Sequence, residues 1–311
     1  MSELIDTPVV ESVSSLEQQL GLKSQYEAGL RAANETGLIH VLPHSRELGY
    51  IGPDGREYRY PDYQAIMAGI VQKEAWFKLK ADQGFRTLNI FPLAPLVTIE
   101  RGLAWELKRL GRLNQVLATK RSASDPDVPL EVSLDTPTWI QQGWKEAEFT
   151  ADLAYYPKRY GKNHGGLTKL QLLAQTRETP FPGWLVTLQE DTLFLPQQGQ
   201  GLTLGGRQQL ENNHSSQEYL ATMKHKPYQG EIGPIPESFL THFLTRLHAT
   251  HQVSHDWDDS NALWLFGLYQ VASGRVPLGY WRRGGRQVRV NWYRPEARAP
   301  DWGAGSAVRV E

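Results

Sequence analysis

Four histidines, His242, His248, His251 and His255, crowd one short segment, and Asp256, Asp258 and Asp259 follow close behind. Zinc and iron accept neutral imidazoles and carboxylates as ligands. His251 and His255 stand four apart, which on one helix aims both rings the same way. The segment has no glutamate of an H-E-x-x-H arrangement to act as a base. His251 also lies near the apolar stripe Leu240, Leu244 and Leu247, and His255 falls at or beyond the helix end. Hydrogen-bonded core histidines are the simpler account, so no metal and no cofactor are expected.

Two glycine-rich stretches invite a phosphate reading and fail it. Residues 199–205 miss the dinucleotide fingerprint by one position, because the third glycine would have to stand at Leu204. Residues 161–166 have the spacing of a phosphate loop, but Leu167 and Thr168 follow where Lys and Ser/Thr are needed. No Ser, His and Asp set stands in a nucleophile-elbow context. No catalytic residue is assigned, and the expectation is a protein that is not an enzyme.

Binding chemistry is better represented. Residues 155–164 interleave Tyr155, Tyr156 and Tyr160 with Lys158, Arg159, Lys162 and His164, and no acid occurs between Asp152 and Glu178. Such a stretch suits phosphate contact with base stacking, or a solvated loop whose tyrosines pack by their rings. Residues 276–293 are the most informative. Gly284 and Gly285 signal a two-residue hairpin turn, in which both central residues can need positive φ. A turn there pairs Arg283 with Arg286, Arg282 with Gln287, Trp281 with Val288, and Tyr280 with Arg289. Side chains alternate across a strand. One face then carries Trp281, Val288, Val290 and Trp292 and wants a core. The other carries Tyr280, Arg282, Gln287, Arg289 and Asn291, a polar and aromatic set of the kind that fills antibody-type binding surfaces, or a solvated strand face.

The elements that must hold these residues mix helix and strand without a βαβ rhythm, so the expected class is α+β. Ser14 with Glu17, and Ser215 with Glu218, have capping-box spacing. Helical periodicity covers 62–83, with Gly84 as its stop, and then 96–113, a short stretch around Trp139, 157–183 and 236–251. Asp259 or Ser260 is placed to cap a further helix running to Val271. Strand patterns cover 86–91, 149–156 and 184–189, and the Gly-Pro-Asp-Gly run at 52–55 marks a turn. The loop at 125–129 suggests a boundary, with a mixed region at 1–145 and a second domain at 146–311.

The closing segment, 302–310, resembles the G-A-R-S-A-V-R-V ending of variable proteins encoded by diversity-generating retroelements. Val276, Pro277, Trp281, Arg283, Arg286 and Pro295 fit the upstream spacing, while Gly305 departs from the arginine usual there. The resemblance covers about the last 35 to 45 residues. It implies a C-type-lectin-like C-terminal domain, related to the formylglycine-generating enzymes. It also implies a recognition protein whose surface at about 276–302 is altered when reverse transcription mutates adenines. Codons of AAC type permit Tyr280, Arg282, Gly284, Gly285, Arg289, Asn291 and Tyr293 as ligand-binding variable positions. Trp281, Arg283, Arg286, Val288 and Trp292 would be scaffold. The implied partner is a protein or cell-surface ligand. The alternative is a nucleic-acid-binding or processing protein that uses 155–169 and 280–294. A third option is a sulfatase-modifying-enzyme-like scaffold with a metal site, but the chain lacks the thiols of that chemistry.

Composition sets the outer bounds. The 311 residues contain ten Trp and no Cys, with a formal charge of −1. Missing Cys excludes a disulfide framework and thiol chemistry. Residues 271–311 hold eight Arg, no Lys and three acids, so the near-neutral total hides a basic tail. The N-terminus is acidic without the basic and apolar regions of a secretory signal. The apolar stretch at 88–99 is broken by Pro92 and Pro95 and too short to span a bilayer. No membrane insertion is expected, and a cytoplasmic location is the default.

Overall fold

The structure, a computed structural model, describes residues 16–115, 129–191, 195–259 and 261–311. Ser14, Ser260 and most of the loop at 125–129 lie outside the described residues. The class is α+β, with two principal sheets and helices packed against them.

Before the first large strand come the helix α1 (Leu22–Glu35), three short strands β1 (His40–Val41), β2 (Leu48–Ile51) and β3 (Glu57–Arg59), and two helices α2 (Tyr63–Gln72) and α3 (Glu74–Asp82). The expected helix at 62–83 is thus two, broken at Lys73, whose φ of −123° and ψ of 34° leave the helical region. Then follow β4 (Phe85–Pro92), the helix α4 (Leu96–Leu113), β5 (Thr138–Ile140), a single turn α5 (Trp144–Ala147) and β6 (Leu153–Tyr155). Trp139 therefore stands in a strand, and the short helix lies around Trp144.

The second half runs α6 (Lys169–Thr176), β7 (Trp184–Glu190), β8 (Thr203–Leu204), β9 (Arg207–Gln208), α7 (Ser216–Thr222), β10 (Glu231–Ile232) and α8 (Pro236–Thr250). The strands β11 (Ala262–Trp264), β12 (Leu268–Gln270), β13 (Val276–Arg282), β14 (Gln287–Tyr293), β15 (Trp302–Gly303) and β16 (Ala307–Arg309) close the chain. Two helical expectations fail here. Residues 157–168 are not helical: Gly161 and Gly165 take positive φ, and the helix starts only where Thr168 and Gln171 form a capping box. The stretch to Val271 holds two short strands, β11 and β12, because its apolar residues pair with β13, β15 and β6.

One sheet has the order β10-β16-β7-β4, antiparallel throughout, and joins strands from both halves of the chain. β4, before residue 145, pairs with β7, after it, from Phe91 opposite Leu185 back to Phe85 opposite Glu190. A single apolar core likewise holds Leu16, Phe77, Leu103, Trp184, Leu247, Trp281 and Val310. The other sheet has the order β15-β11-β13-β14-β5. Its centre is antiparallel, and its two edge strands run parallel to their neighbours. Among the described residues, no helix is long and apolar enough to cross a membrane.

Candidate recognition face

The β13–β14 hairpin sits inside the five-stranded sheet, and its register is the one that alternation and the glycine pair predict. Arg282 pairs with Gln287, Trp281 with Val288, and Tyr280 with Arg289. The turn itself differs. Gly284 and Gly285 do not take positive φ; they lie in a 3-10 turn closed by the Arg286 amide donating to the Arg283 carbonyl at 3.0 Å. The left-handed residue is Arg286, at φ 52° and ψ 42°. A loop of four residues built this way keeps the same strand register as a two-residue turn nested within it.

An acidic loop grips that turn. Arg283 donates from Nε to Asp256 at 2.8 Å and from Nη2 to Asp259, and its backbone amide donates to Asp258 at 3.2 Å. Arg282 pairs with Asp258 at 3.6 Å and lies over the Trp257 ring at 5.6 Å. Burial pushes the Asp256 carboxyl up to about 6, against the pull of Arg283. The aspartates beside the histidines thus hold the hairpin.

The histidines part company. His251 caps α8 in the left-handed conformation and lies half-buried at its end. His248 bonds Glu106 at 3.1 Å across the α4–α8 contact. His242 and His255 line one narrow cleft with Glu190 and Ser306, a cavity of about 30 Å³. That volume holds one or two waters. Burial pulls His242 down to about 4 and His255 to about 3, so both are neutral near pH 7. Among the described residues, no group of three or more His, Asp or Glu is placed to hold a metal.

The hairpin's two faces meet different surroundings. Trp281, Val288, Val290 and Trp292 all join the main core, where Trp292 packs on Trp144 with ring centroids 4.2 Å apart. On the opposite face Tyr280 joins a second, largely aromatic cluster with Trp264 and Trp302. Trp257 stacks on Tyr280 at 4.7 Å, and Tyr293 on Trp302 at 4.4 Å. Burial and the neighbouring Tyr280 push the Tyr293 phenol up to about 12, so it stays protonated. Burial decreases from Trp264 and Trp302 toward the open edge of the sheet, where Arg282, Arg289, Asn291 and Tyr293 are half-buried. β5 adds Trp139 on this side, directly opposite Arg289 and 38% exposed. Sequence reasoning missed Trp139, Trp257, Trp264 and Trp302 as members of the face. The cluster of five tryptophans between 257 and 302 was the available signal for three of them.

The assigned residues therefore separate. Tyr280, Arg282, Arg289, Asn291 and Tyr293 share one face, with Gly284 and Gly285 at its tip, but Tyr280 is buried in the aromatic cluster and only the other four reach the surface. Trp281, Val288 and Trp292 point into the core, while Arg283 and Arg286 anchor the turn, the latter to Glu131 at 2.7 Å. Gln287 lies on the polar side but is buried, donating to the Thr136 carbonyl at 2.7 Å.

The stretch at 155–169 offers no comparable surface. Tyr155 is fully buried, its hydroxyl donating to Glu237 at 2.9 Å, and burial raises its pKa. Tyr160 packs on Tyr269 and donates to the Phe266 carbonyl at 3.0 Å. Lys169 is buried between Glu148 and Glu237 and donates to the Ala94 carbonyl at 2.6 Å. Burial lowers its affinity for a proton, but the two carboxylates more than compensate. Lys158, Arg159 and Lys162 are exposed. No family model, no curated protein and no solved structure matches the chain.

Proposed function

We propose that the protein is a recognition protein whose binding surface is the outer face of the β13–β14 hairpin. In this reading it is a variable protein of a diversity-generating retroelement, with a C-type-lectin-like C-terminal domain. The observation that carries the proposal is the segregation on the hairpin. Tyr280, Arg282, Arg289, Asn291 and Tyr293, all open to AAC-type codon variation, lie together on one side. Trp281 and Trp292, which such variation cannot produce, are buried on the other. Arg282, Arg289, Asn291 and Tyr293 can change on the first side without disturbing the main core, which is what a diversified surface requires, whereas Tyr280, 4% exposed, is covered by the second aromatic cluster.

The nucleic-acid alternative has less support. The tyrosines at 155–160 are occupied in packing. Around the hairpin, Asp256, Asp258, Asp259 and Glu131 pair with Arg282, Arg283 and Arg286, and adding Arg289 makes four arginines against four acids. A phosphate backbone needs net positive charge, and here the local charges balance.

Sequencing this gene and its downstream DNA in sibling isolates tests the reading. The expected result is a nearby reverse-transcriptase gene, a near-copy of the final segment as template, and alleles that differ at codons 280, 282, 284, 285, 289, 291 and 293. Alleles varying evenly along the gene, with neither template nor reverse transcriptase, overturn it. A gel shift of single-stranded DNA at low salt by the purified protein would instead favour the nucleic-acid alternative.

A further inference from the structure

We infer that this face recognises a carboxylate, an exposed Asp or Glu side chain on a protein partner, and that Arg289 is the residue that takes it. The inference rests on the hairpin face being the recognition surface. Three of the four hairpin arginines are already committed. Arg282 and Arg283 face Asp256, Asp258 and Asp259, and Arg286 faces Glu131. Arg289 is the exception: among the described residues, no carboxylate pairs with it.

Its guanidinium is nonetheless held in place. Nε donates to the Gln287 side-chain oxygen at 2.8 Å, and Gln287 is itself fixed by its bond to the Thr136 carbonyl. The guanidinium lies over the Trp139 ring at 5.5 Å. Gly285 leaves the space beside it: a Cβ there would stand 3.2 Å from Nη2. Neither Nη1 nor Nη2 has an acceptor among the described residues. A guanidinium fixed through Nε, with its terminal pair of nitrogens unspent, presents the fork that binds a carboxylate bidentately.

The surroundings favour one negative charge over several. Arg282, Arg283 and Arg286 already face four acids, so Arg289 is the one hairpin guanidinium with terminal donors left for a carboxylate, whereas a run of phosphates would need more cations than the face leaves open. Trp139 beside it offers a flat apolar surface, so the acidic residue should be flanked by an apolar or aromatic side chain.

The test is selection of a random displayed peptide library on the purified full-length protein, followed by affinity measurement on variants. The expected peptides are enriched in Asp or Glu beside an apolar residue. Arg289→Gln should weaken them by about tenfold to a hundredfold, and Arg289→Lys should retain only part of the affinity, because an ammonium cannot fork. Selected peptides that lose affinity with Trp139→Ala or Asn291→Ala, yet lack acids or bind Arg289→Gln unchanged, overturn the carboxylate inference and leave the recognition face standing. Peptides indifferent to all of these substitutions overturn the recognition face itself. Competition of bound peptide by single-stranded DNA, lost in Arg289→Gln, overturns the carboxylate in favour of phosphate.

Discussion

Two hairpins in this chain turn on a Gly-Gly pair and carry an arginine on the strand that follows, Arg207 directly after the first pair and Arg289 four residues after the second, and they use both features differently. In the β8–β9 hairpin, Gly205 and Gly206 take φ of 51° and 76°, the positive values of a type I′ turn, and Leu204 pairs with Arg207 across it. Arg207 then enters the core fully buried. It forks onto Glu190 at 2.7 and 2.9 Å and onto Glu231 at 2.8 and 2.9 Å, and it reaches the Ser306 hydroxyl at 3.0 Å. In the β13–β14 hairpin the glycines keep negative φ, and Arg289 stops at the surface with one glutamine and one indole. The residue type is the same, but the first arginine has spent its donors within the fold and the second has not. The two arginines are distinguished by the hydrogen-bond donors each has left, which composition cannot reveal.

The largest expected effect separates the two arginines. Arg207→Met leaves the buried Glu190 without its cation, and breaking a buried ion pair from one side typically costs about 3–5 kcal/mol. Lys80 stays on Glu231 at 2.8 Å and offers no partner to Glu190. Urea unfolding at pH 7 measures the loss. A cost below about 1 kcal/mol would mean that the Arg207 cluster is not the structural counterpart it is taken to be.

The grip on the second hairpin should respond to pH. Burial raises Asp256 to about 6 in the fold, above the ordinary carboxyl value of 3.8. The folded state therefore holds this proton more tightly than the unfolded chain. The stability that this contributes is fully present below about pH 4 and is lost as pH rises through 6. Relative to Asp256→Asn, the wild type should lose about 2 kcal/mol between pH 4 and pH 7. Comparing the two proteins cancels other titrating groups, including His242 and His255, whose depressed values act in the opposite sense. Their contribution is present above pH 6.5 and lost as pH falls. A flat difference across that range would show that Arg283 fully compensates the burial.

The glycine pairs should part in sign. Gly206→Ala forces a side chain into the left-handed region and should cost about 1–2 kcal/mol. Gly284→Ala has negative φ and open space around it, so it should be neutral or stabilise by up to about 1 kcal/mol through the unfolded chain. Equal costs at the two sites would restore the two-residue turn that the sequence suggests at Gly284 and Gly285.

That contrast marks how far the sequence could be read. The hairpin's register and faces were legible because period-two alternation and the glycine pair agree. The turn type was not, because the clamp on Arg283 comes from Asp256 and Asp259, residues no local pattern connects to it. The helix at 96–113 was legible to the residue from its apolar register. The stretch at 260–271 was not, since a continuous apolar run does not separate a buried strand from a helix. For 157–183 the signal existed: the glycines between 161 and 166 oppose a helix, and only residues 169–176 form one. Trp139 was hidden for a different reason. β5 is three residues long and exists through parallel pairing with β14, so its membership of the face is a tertiary fact.

The smallest effect is the one on which the comparison turns. Arg289→Gln removes a guanidinium that makes one hydrogen bond to a neutral amide and one contact with a half-exposed indole ring. Cation–π contacts at such sites are worth about 0.5–1 kcal/mol, and the glutamine amide introduced at 289 keeps a donor beside the Gln287 oxygen. Urea unfolding should show a cost of no more than about 1 kcal/mol, and Trp139→Ala should couple to it by a similar amount in a double-mutant cycle. A cost approaching that of Arg207→Met would show that the fold needs Arg289, and a position needed by the fold is not free to vary with the ligand. A small cost leaves the charge at 289 held in place by its neighbours at little benefit to stability, which is the condition expected of a residue kept for what it binds.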